Sequence, residues 1–444
     1  MYRTWTRTSA LVTIGLVAAS AMTACSSDSD SSDGTVTIKV ATGWGDTPAV
    51  ADAFKGVVDA FEDANPTIKV DLQTQGSNAY NQSINLRAGS SSPPDVFMLS
   101  TAGYGPGFYD LAKGGKLLAL DAHAEENGWV DRFGESALAP FKVDRESGQL
   151  GSGSLYGLPQ QNTMLGLYYN KAILTSLGVS SAPATMAEFE DTLAKAKAEG
   201  VIPLAATKDA FVHDQMILWN AYESSADPIT EWVYGKDGAT FDSDANKLAL
   251  DTLTRWQDEE YLQPGAQGVD YGSAVSTFTG GKALYFVAGP WLTGTVNDAL
   301  GDDAGFMQMP SVSPSSPVGG GPSSPLVISS KSKQVDAAVL FLDFFNSEAQ
   351  SNFLRDNGFG LPGTSLLPSS GGNPLDNAVA AILKEAESPG GVGVTPYINW
   401  ASPEVDAAIY SGLEKVLGGQ ESVEDYLGQV QGDWVTARDD RSGG

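Results

Sequence analysis

Strand-like and helix-like segments alternate near the start of the chain, and this alternation limits the folds that the chain can adopt. "TVTIKVA" places Val36, Ile38 and Val40 at every second residue, and the residues that follow repeat apolar side chains at helical spacing. "TIKVDLQTQ" alternates again, and "PPDVFMLS" comes after a second helical segment. This β-α-β-α-β order predicts an α/β fold with a parallel sheet covered by helices. In such sheets the ligand crevice lies beyond the carboxyl ends of the strands.

The chain is also too long for a single hydrophobic core. Roughly 410 residues follow the first 34, whereas one core rarely grows beyond about 250–300 residues. A second α/β unit is expected to begin near residue 165, because a helix with a capping box from Thr185 to Glu188 leads into the strand-like "IPLAA". We therefore expect two lobes.

Two later segments carry further predictions about local structure. "PSVSPSSPVGGGPSSP" is rich in Pro, Gly and Ser and is predicted to be loop. "SKQVDAAVLFLDFFNSEAQSNFL" is strongly apolar and predicts a helix that breaks or bends near Asn346 and Ser347. Trp256 lies inside a periodic helical stretch and is predicted to belong to a core.

The first residues indicate a secretory signal. Arg3 and Arg7 precede an apolar run, residues 10–21, which is too short for the roughly 20 residues that span a bilayer. A basic start, a short apolar run and small residues before a processing point are typical of a cleaved signal peptide. Residues 1–24 are therefore predicted to be removed.

Cys25 is the only cysteine of the chain, and it follows this run directly. The letters "MTAC" that end at Cys25 resemble a bacterial lipobox, in which the cysteine is lipidated and becomes the mature N-terminus. The "SSDSDSSDG" that follows has no apolar side chain and predicts a solvated linker. Residues 25–34 are thus predicted to be a lipidated cysteine with its linker, and the alternative is a freely secreted protein.

Composition disfavours several classes of function. Without the first 24 residues, 24 Lys and Arg stand against 54 Asp and Glu, so the mature net charge is about −30. A nucleic-acid backbone would be repelled, and an anionic membrane would not attract the protein except through its lipid. His123 and His213 lie in unrelated segments without a Cys/His cluster, so no metal or other cofactor is expected. Neither a Walker A motif nor a nucleophile elbow occurs.

Aromatic residues at the ends of elements point to a small-ligand site. Trp44 follows a predicted strand, Trp291 follows a Gly-Pro turn in "GPWLTG", and Tyr397 and Trp400 lie in a predicted loop before a helix. Aromatic faces stack on the C–H face of a sugar, while Asn, Gln, Asp and Thr side chains bond its hydroxyls. For each tryptophan the alternative is ordinary packing.

At "YGLPQQNTMLGLYYNKAIL" the sequence resembles the carbohydrate-type (family 1) extracellular solute-binding proteins of ABC importers, the group that includes maltose-binding protein. Supporting segments occur in the same order as in the family: "AFEDANPTIKV", "PPDVFML", "GKALYFVAGPW", "VDAAVLFLDFFNSEAQSNFL" and "GFGLPG". The resemblance covers nearly the whole mature chain. It implies two α/β lobes with an interlobe hinge and cleft, which capture a sugar or oligosaccharide for an ABC permease.

The resemblance also implies the lobe boundaries and the site. Crossovers between the lobes are expected near Asn162, Phe306 and Asn346. The N-lobe would then comprise residues 35–161 and 306–346, and the C-lobe residues 162–305 and 347–440. The segments that line the cleft in the family place these residues in the ligand site: Trp44, Asp46, Ser100, Thr101, Asn162, Thr163, Trp291 and Trp400.

The expected protein is therefore a binding protein rather than an enzyme, monomeric and lipid-anchored at the extracellular face of the cytoplasmic membrane. The candidate site loops carry no Lys or Arg beside their aromatics, which favours a neutral sugar, although Arg87 or Arg355 could fold into the site. The first alternative is a surface glycoside hydrolase that uses a carboxylate pair. The second is an adhesin or structural lipoprotein without a closable cleft.

Overall fold

The structure is a computed structural model. It describes residues 34–46, 48–99, 107–357, 359, 373–388 and 390–442. Contacts divide the chain into one unit, Met1–Thr35, and a second, Val36–Gly444. The fold described below belongs to the second unit. The predicted signal peptide and Cys25 lie outside the described residues.

The strands of the described residues are short, and most of them are buried. They are β1 (Val36–Thr42), β2 (Ile68–Thr74), β3 (Val96–Met98), β4 (Lys142–Val143), β5 (Ser154–Leu155), β6 (Gly157–Leu158), β7 (Gln161–Met164), β8 (Gly166–Asn170), β9 (Ile202–Ala205), β10 (Ala283–Ala288), β11 (Ala304–Met307), β12 (Val318–Ser323), β13 (Leu326–Ile328) and β14 (Val394–Thr395).

Helices separate most of these strands. They are α1 (Pro48–Ala64), α2 (Ser77–Gly89), α3 (Phe108–Lys113), α4 (Asp121–Glu126), α5 (Trp129–Phe133), α6 (Glu135–Leu138), α7 (Lys171–Ser176), α8 (Met186–Ala198), α9 (Phe211–Tyr222), α10 (Asp227–Val233), α11 (Asp244–Asp258), α12 (Tyr271–Thr279), α13 (Thr293–Leu300), α14 (Val335–Phe345), α15 (Glu348–Asp356), α16 (Pro374–Glu387), α17 (Pro403–Leu417) and α18 (Val423–Ser442).

The first sheet has the order β2-β1-β3-β13-β6. Strand β1 runs parallel to β2 and to β3, which confirms the parallel arrangement predicted from the β-α-β-α-β pattern. Strand β13 comes from a distant part of the chain and pairs antiparallel with both β3 and β6. We call this sheet, with the helices packed on it, the first lobe.

The second sheet has the order β11-β8-β10-β9. Strand β10 runs parallel to β9 and antiparallel to β8, and β11 pairs antiparallel with β8. This sheet begins at Gly166, as the sequence predicted for a second α/β unit near residue 165. We call it, with its helices, the second lobe. The two-lobed α/β fold is thereby confirmed.

A third sheet, with the order β14-β12-β7, lies where the chain passes between the lobes. The prediction that the Pro/Gly/Ser-rich segment is loop throughout is wrong, because Val318–Ser323 forms β12. Strand β12 pairs antiparallel with β7 and parallel with β14, so tertiary pairing overrides the weak strand preference of glycine. Gly320 has φ +156°, and a Cβ there would lie 2.2 Å from the Thr163 carbonyl oxygen, so only glycine fits.

The hydrophobic core in which each residue packs shows that two of the expected crossovers between the lobes lie at other positions in the chain. Phe306 lies in β11 and packs in the second lobe, so the chain returns to the first lobe later, at β12 and β13. Leu354 and Phe359 pack in the core of the first lobe, and Leu375 packs in the second. These contacts assign α15 to the first lobe, whereas the sequence had given residue 347 onwards to the second.

Several local predictions are confirmed by the helix ends. Thr185 and Glu188 form a complete capping box at α8, in which Thr185 Oγ1 accepts from the Glu188 N–H at 3.2 Å. The apolar helix ends at Phe345, and Ser347 caps the start of α15. Trp256 is 1% exposed, as expected of a core residue.

Candidate binding site at the lobe junction

The strands that pass between the lobes supply the polar part of the site. Asn162 and Thr163 lie on β7, opposite Pro322 and Gly321 of β12. The Thr163 hydroxyl donates to the Gly321 carbonyl oxygen at 3.0 Å, and Asn162 Nδ2 donates to Glu387 Oε1 at 3.5 Å. Asn162 is buried, yet among the described residues nothing donates to its Oδ1. A buried amide oxygen without a donor is costly, so this atom is available to a ligand or a water.

A row of rings from the second lobe stands beside these strands. The His213 ring centroid lies 5.9 Å from that of Trp291 and 6.3 Å from that of Tyr397. The Tyr397 and Trp400 centroids are 5.0 Å apart. Trp291 Nε1 donates to the Tyr271 hydroxyl at 2.8 Å, which holds the indole in place. We call Trp291, His213, Tyr397 and Trp400 the aromatic row.

The topology explains why these rings meet. Trp291 follows the carboxyl end of β10 and lies in the short 3-10 turn Pro290–Leu292. His213 follows the carboxyl end of β9 and lies in the first turn of α9. Strands β9 and β10 are parallel neighbours, so their carboxyl ends meet at one edge of the sheet, which is where α/β proteins bind ligands. Tyr397 and Trp400 reach this edge from the turn before α17.

The first lobe contributes Trp44. Its Nε1 donates to Gln160 Oε1 at 3.3 Å, and Gln160 Nε2 in turn donates to the Ser324 carbonyl oxygen at 2.7 Å. The Trp44 ring meets Phe359 edge-on at 5.8 Å. Because Gln160 directly precedes β7 and Ser324 directly follows β12, these bonds tie Trp44 to both strands that pass between the lobes.

A cavity of about 340 Å³ lies against these strands. Residues of both lobes line it, and among the described lining residues Glu387 is the only charged one. Burial raises the pKa of Glu387, and the hydrogen bond from Asn162 opposes that shift. Its lining includes Ala137 of the first lobe, Pro322 of β12, and Tyr234, Glu387 and Trp400 of the second lobe.

The second lobe buries further titratable groups close to the aromatic row. Burial lowers the pKa of His213 to about 4 and raises the pKa of the adjacent Asp214 to about 8, so both are uncharged at pH 7. Burial also raises the pKa of Asp406, in the first turn of α17, to about 6. The wall that the second lobe offers to a ligand is therefore aromatic and weakly charged.

The structure brings some of the predicted site residues together, and others lie outside the residues that it describes. Asn162 and Thr163 are neighbours in β7, Trp291 and Trp400 belong to the aromatic row, and Trp400 lines the same cavity as Pro322 of β12. Trp44 is joined to the ends of β7 and β12 through Gln160. Of Asp46 only the backbone is described, and Ser100 and Thr101 lie outside the described residues.

Sequence reasoning missed His213, Tyr271 and Glu387. For His213 a signal existed, because it follows the carboxyl end of a strand, as Trp291 does. For Glu387 there was none, since it reaches Asn162 only through the packing of α16 against β11 and β14. None of the helices in the described ranges is long and apolar enough to span a membrane. The same ranges contain no group of three His, Cys, Asp or Glu side chains placed to hold a metal ion.

Comparison with known families decides what kind of protein has this architecture. The family model of the bacterial extracellular solute-binding proteins matches residues 44–352, which is more than half of the chain. The chain belongs to this family. The match begins at Trp44, just after β1, and includes strands of both lobes, so the solute-binding protein was correctly identified from the sequence.

Similar proteins with known or described properties support the fold. A Mesorhizobium japonicum protein described as sugar-binding and periplasmic is 29% identical over 199 residues, which are 43% of each chain. A chitin oligosaccharide binding protein superposes with a TM-score of 0.76 at 22% identity, over 92% of this chain and 100% of the other. A secreted solute-binding lipoprotein from Streptomyces coelicolor superposes with a TM-score of 0.71 at 17% identity, over 90% and 98%. At these identities the two structures show the shared fold.

Proposed function

We propose that this solute-binding protein captures a neutral sugar or oligosaccharide at the lobe junction and delivers it to the permease of an ABC transporter. The observation that carries the proposal is the aromatic row, which stands beside a cavity and an unpaired amide oxygen where the chain passes between two lobes. Aromatic faces with a few polar groups are the surface that a sugar needs. The similar proteins whose names mention sugars support the same ligand class.

Charge supports a neutral ligand. Among the described residues that line the cavity there is no Lys or Arg. Arg87 donates to Gln73 and Gln75 within the first lobe, and Arg355 bonds Asp356. An anionic sugar would need a cation or a helix N-terminus at the site. The lone Glu387 can instead accept hydrogen bonds from hydroxyl groups.

Closure is part of the proposed mechanism. Two lobes joined by a few strands can rotate about them, so a sugar that contacts both walls would favour the closed state. We propose that the described residues within 36–160 and 324–359 form the first lobe and those within 165–317 and 373–442 the second, with β7 and β12 as the hinge. The protein would act as a monomer, because each chain supplies both walls.

The sugar test uses the mature protein and a panel of galactose, maltose, xylobiose and chitobiose. A sugar bound only by the folded state raises the free energy of unfolding by RT ln(1 + [L]/Kd), and the melting temperature rises with it. Small-angle scattering with the stabilising sugar should show a smaller radius of gyration. Chromatography of the sugar after incubation should show it intact, whereas hydrolysis products would favour the glycoside hydrolase instead. No melting shift with any sugar would count against the proposal.

We further propose that a lipid on Cys25 holds the protein at the extracellular face of the membrane. The lipobox-like sequence supports this, and the similar Streptomyces coelicolor protein is described as a lipoprotein. The test compares the full-length protein with Cys25→Ala in a Gram-positive host. The parent should remain with the membranes and the variant should appear in the medium. Identical partitioning would rule out the anchor.

A further inference from the structure

His213 occupies the centre of the aromatic row. Its ring stands between Trp291 and Tyr397, with centroid separations of 5.9 Å and 6.3 Å. Trp291 is held by its hydrogen bond to Tyr271, which lies outside the row, and Tyr397 packs against Trp400, the last ring of the row. The imidazole is therefore positioned by rings that the proposed function already assigns to the ligand.

The two nitrogens of this imidazole are in different situations. Nδ1 is buried, and no described residue forms a hydrogen bond with it. His213 as a residue is partly exposed, and Nε2, unlike Nδ1, is not one of the buried atoms that lack a hydrogen-bond partner. A purely packing role would be better served by a phenyl ring, because a phenyl ring has no nitrogen to leave unpaired.

The protonation state follows from these surroundings. Burial holds the pKa of His213 near 4, and the adjacent Asp214 is uncharged at pH 7 because burial raises its pKa to about 8. A neutral imidazole carries one proton. Buried N–H groups without an acceptor are rarer than buried acceptors without a donor, so the proton belongs on Nε2. Nε2 is then the hydrogen-bond donor of this partly exposed residue.

We infer that His213 is a ligand-contact residue that donates a hydrogen bond from Nε2 to an oxygen of the bound sugar, between the stacking faces of Trp291 and Tyr397. This inference rests on the proposed sugar-binding function. It assigns to the site a specificity-determining group that requires an oxygen acceptor on the ligand at this position.

The test takes whichever of galactose, maltose, xylobiose or chitobiose raises the melting temperature of the parent protein. His213→Phe keeps an aromatic ring and removes both nitrogens. We expect its affinity for that sugar, measured by calorimetry, to fall at least tenfold while the melting temperature without sugar stays the same or rises. His213→Gln, which keeps a donor, should recover part of the affinity. His123→Gln, which changes the other histidine of the chain, should leave both quantities unchanged.

The same control variant gives a direct spectroscopic measurement. In an untagged His123→Gln protein, His213 is the only imidazole, so ¹⁵N spectra report its tautomer alone. We expect the proton on Nε2 and a shift of the Nε2 resonance when the sugar is added. Unchanged affinity in His213→Phe, or a proton on Nδ1, would overturn the inference while leaving the proposed function intact. If none of the four sugars binds the parent protein, the proposed function fails first and the inference fails with it.

Discussion

The two lobes share an α/β architecture but bury different kinds of side chains. In the first lobe, phenylalanines pack on one another, with centroids 5.0 Å apart for Phe54 and Phe345 and 5.2 Å apart for Phe61 and Phe341. In the second lobe, buried rings are held by hydrogen bonds. The Tyr285 hydroxyl lies 2.8 Å from Thr192 Oγ1, for example. Two buried rings of the first lobe, Tyr80 and Trp129, also donate hydrogen bonds. The contrast is therefore one of proportion, with phenylalanine contacts prominent in the first core and hydrogen-bonded Tyr and Trp rings prominent in the second.

The difference extends to groups that titrate. His213, Asp214 and Asp406 all lie in the second lobe, and burial shifts the pKa of each toward its uncharged form. The second lobe also supplies the whole aromatic row, whereas the first supplies Trp44. The lobe that supplies more of the proposed ligand contacts thus also contains buried titratable groups that cost stability. We expect the stability of the two lobes to respond differently to pH and to mutation.

The largest effect is expected from Phe341→Ala in the first lobe. Phe341 is fully buried and contacts Phe54, Phe61 and Phe345, so its removal leaves a cavity. We expect a loss of about 3–5 kcal/mol in the free energy of unfolding. Urea denaturation should give the same loss at pH 5 and pH 8, because no titrating group is involved. Leu86→Ala, at a side chain that is 81% exposed, is the control and should change little.

Trp400→Ala tests the second lobe as the binding wall. Trp400 is only partly buried, contacts Tyr397 and lines the cavity. Loss of an aromatic anchor typically costs about 2 kcal/mol of binding, which is roughly thirtyfold in Kd. Calorimetry with the stabilising sugar should show this loss, while the melting temperature without sugar changes little. A large fall in melting temperature with unchanged affinity would place Trp400 in the core instead.

Asp214→Asn tests the pH dependence of the second lobe. Burial raises the pKa of Asp214 from 3.8 to about 8, so folding keeps a proton that the unfolded chain releases above pH 3.8. The carboxyl group therefore costs stability increasingly as the pH rises from about 4 to about 8. The amide removes this cost but remains a buried polar group, so we expect a gain of about 1–2 kcal/mol at pH 7. The gain, measured by thermal unfolding, should disappear near pH 4.

A gain that does not depend on pH would show that Asp214 is not protonated in the folded state.

The contribution of the neighbouring His213 to stability depends on pH in the opposite direction. Burial lowers its pKa from 6.5 to about 4, so its contribution to stability is present above pH 6.5 and is lost as the pH falls toward 4. His213→Phe should remove this acid-side dependence, which separates the two groups.

The smallest effect is expected from Trp44→Phe in the first lobe. The variant keeps a ring and loses the hydrogen bond from Nε1 to Gln160. The bond is internal to the protein, so it affects sugar affinity only as far as it differs between the free and bound states. Because one neutral hydrogen bond contributes about 0.5–1.5 kcal/mol, sugar affinity should fall by at most roughly tenfold. Gln160→Leu and the double variant complete a thermodynamic cycle. Strictly additive losses would show that the Trp44–Gln160 bond does not couple to binding.

The sequence was sufficient to predict an element of structure wherever the interactions that form the element are local. Alternating Ile38 and Val40 predicted β1, and the pair Thr185 and Glu188 predicted the start of α8, because side-chain period and capping act over a few residues. The order of quoted segments also identified the solute-binding family. By itself the sequence thus determined the two α/β lobes and the class of protein.

Tertiary structure decided what the sequence could not. Glycine-rich Val318–Ser323 became a strand only because β7 and β14 offered partners on both sides. His213 and Glu387 reached the junction through strand order and helix packing, which join residues that are far apart in the chain. Residue patterns report which face of an element is apolar, but they do not report which distant element that face will meet. The composition of the lobe junction therefore depended on non-local contacts, for which a single sequence has no periodic signal.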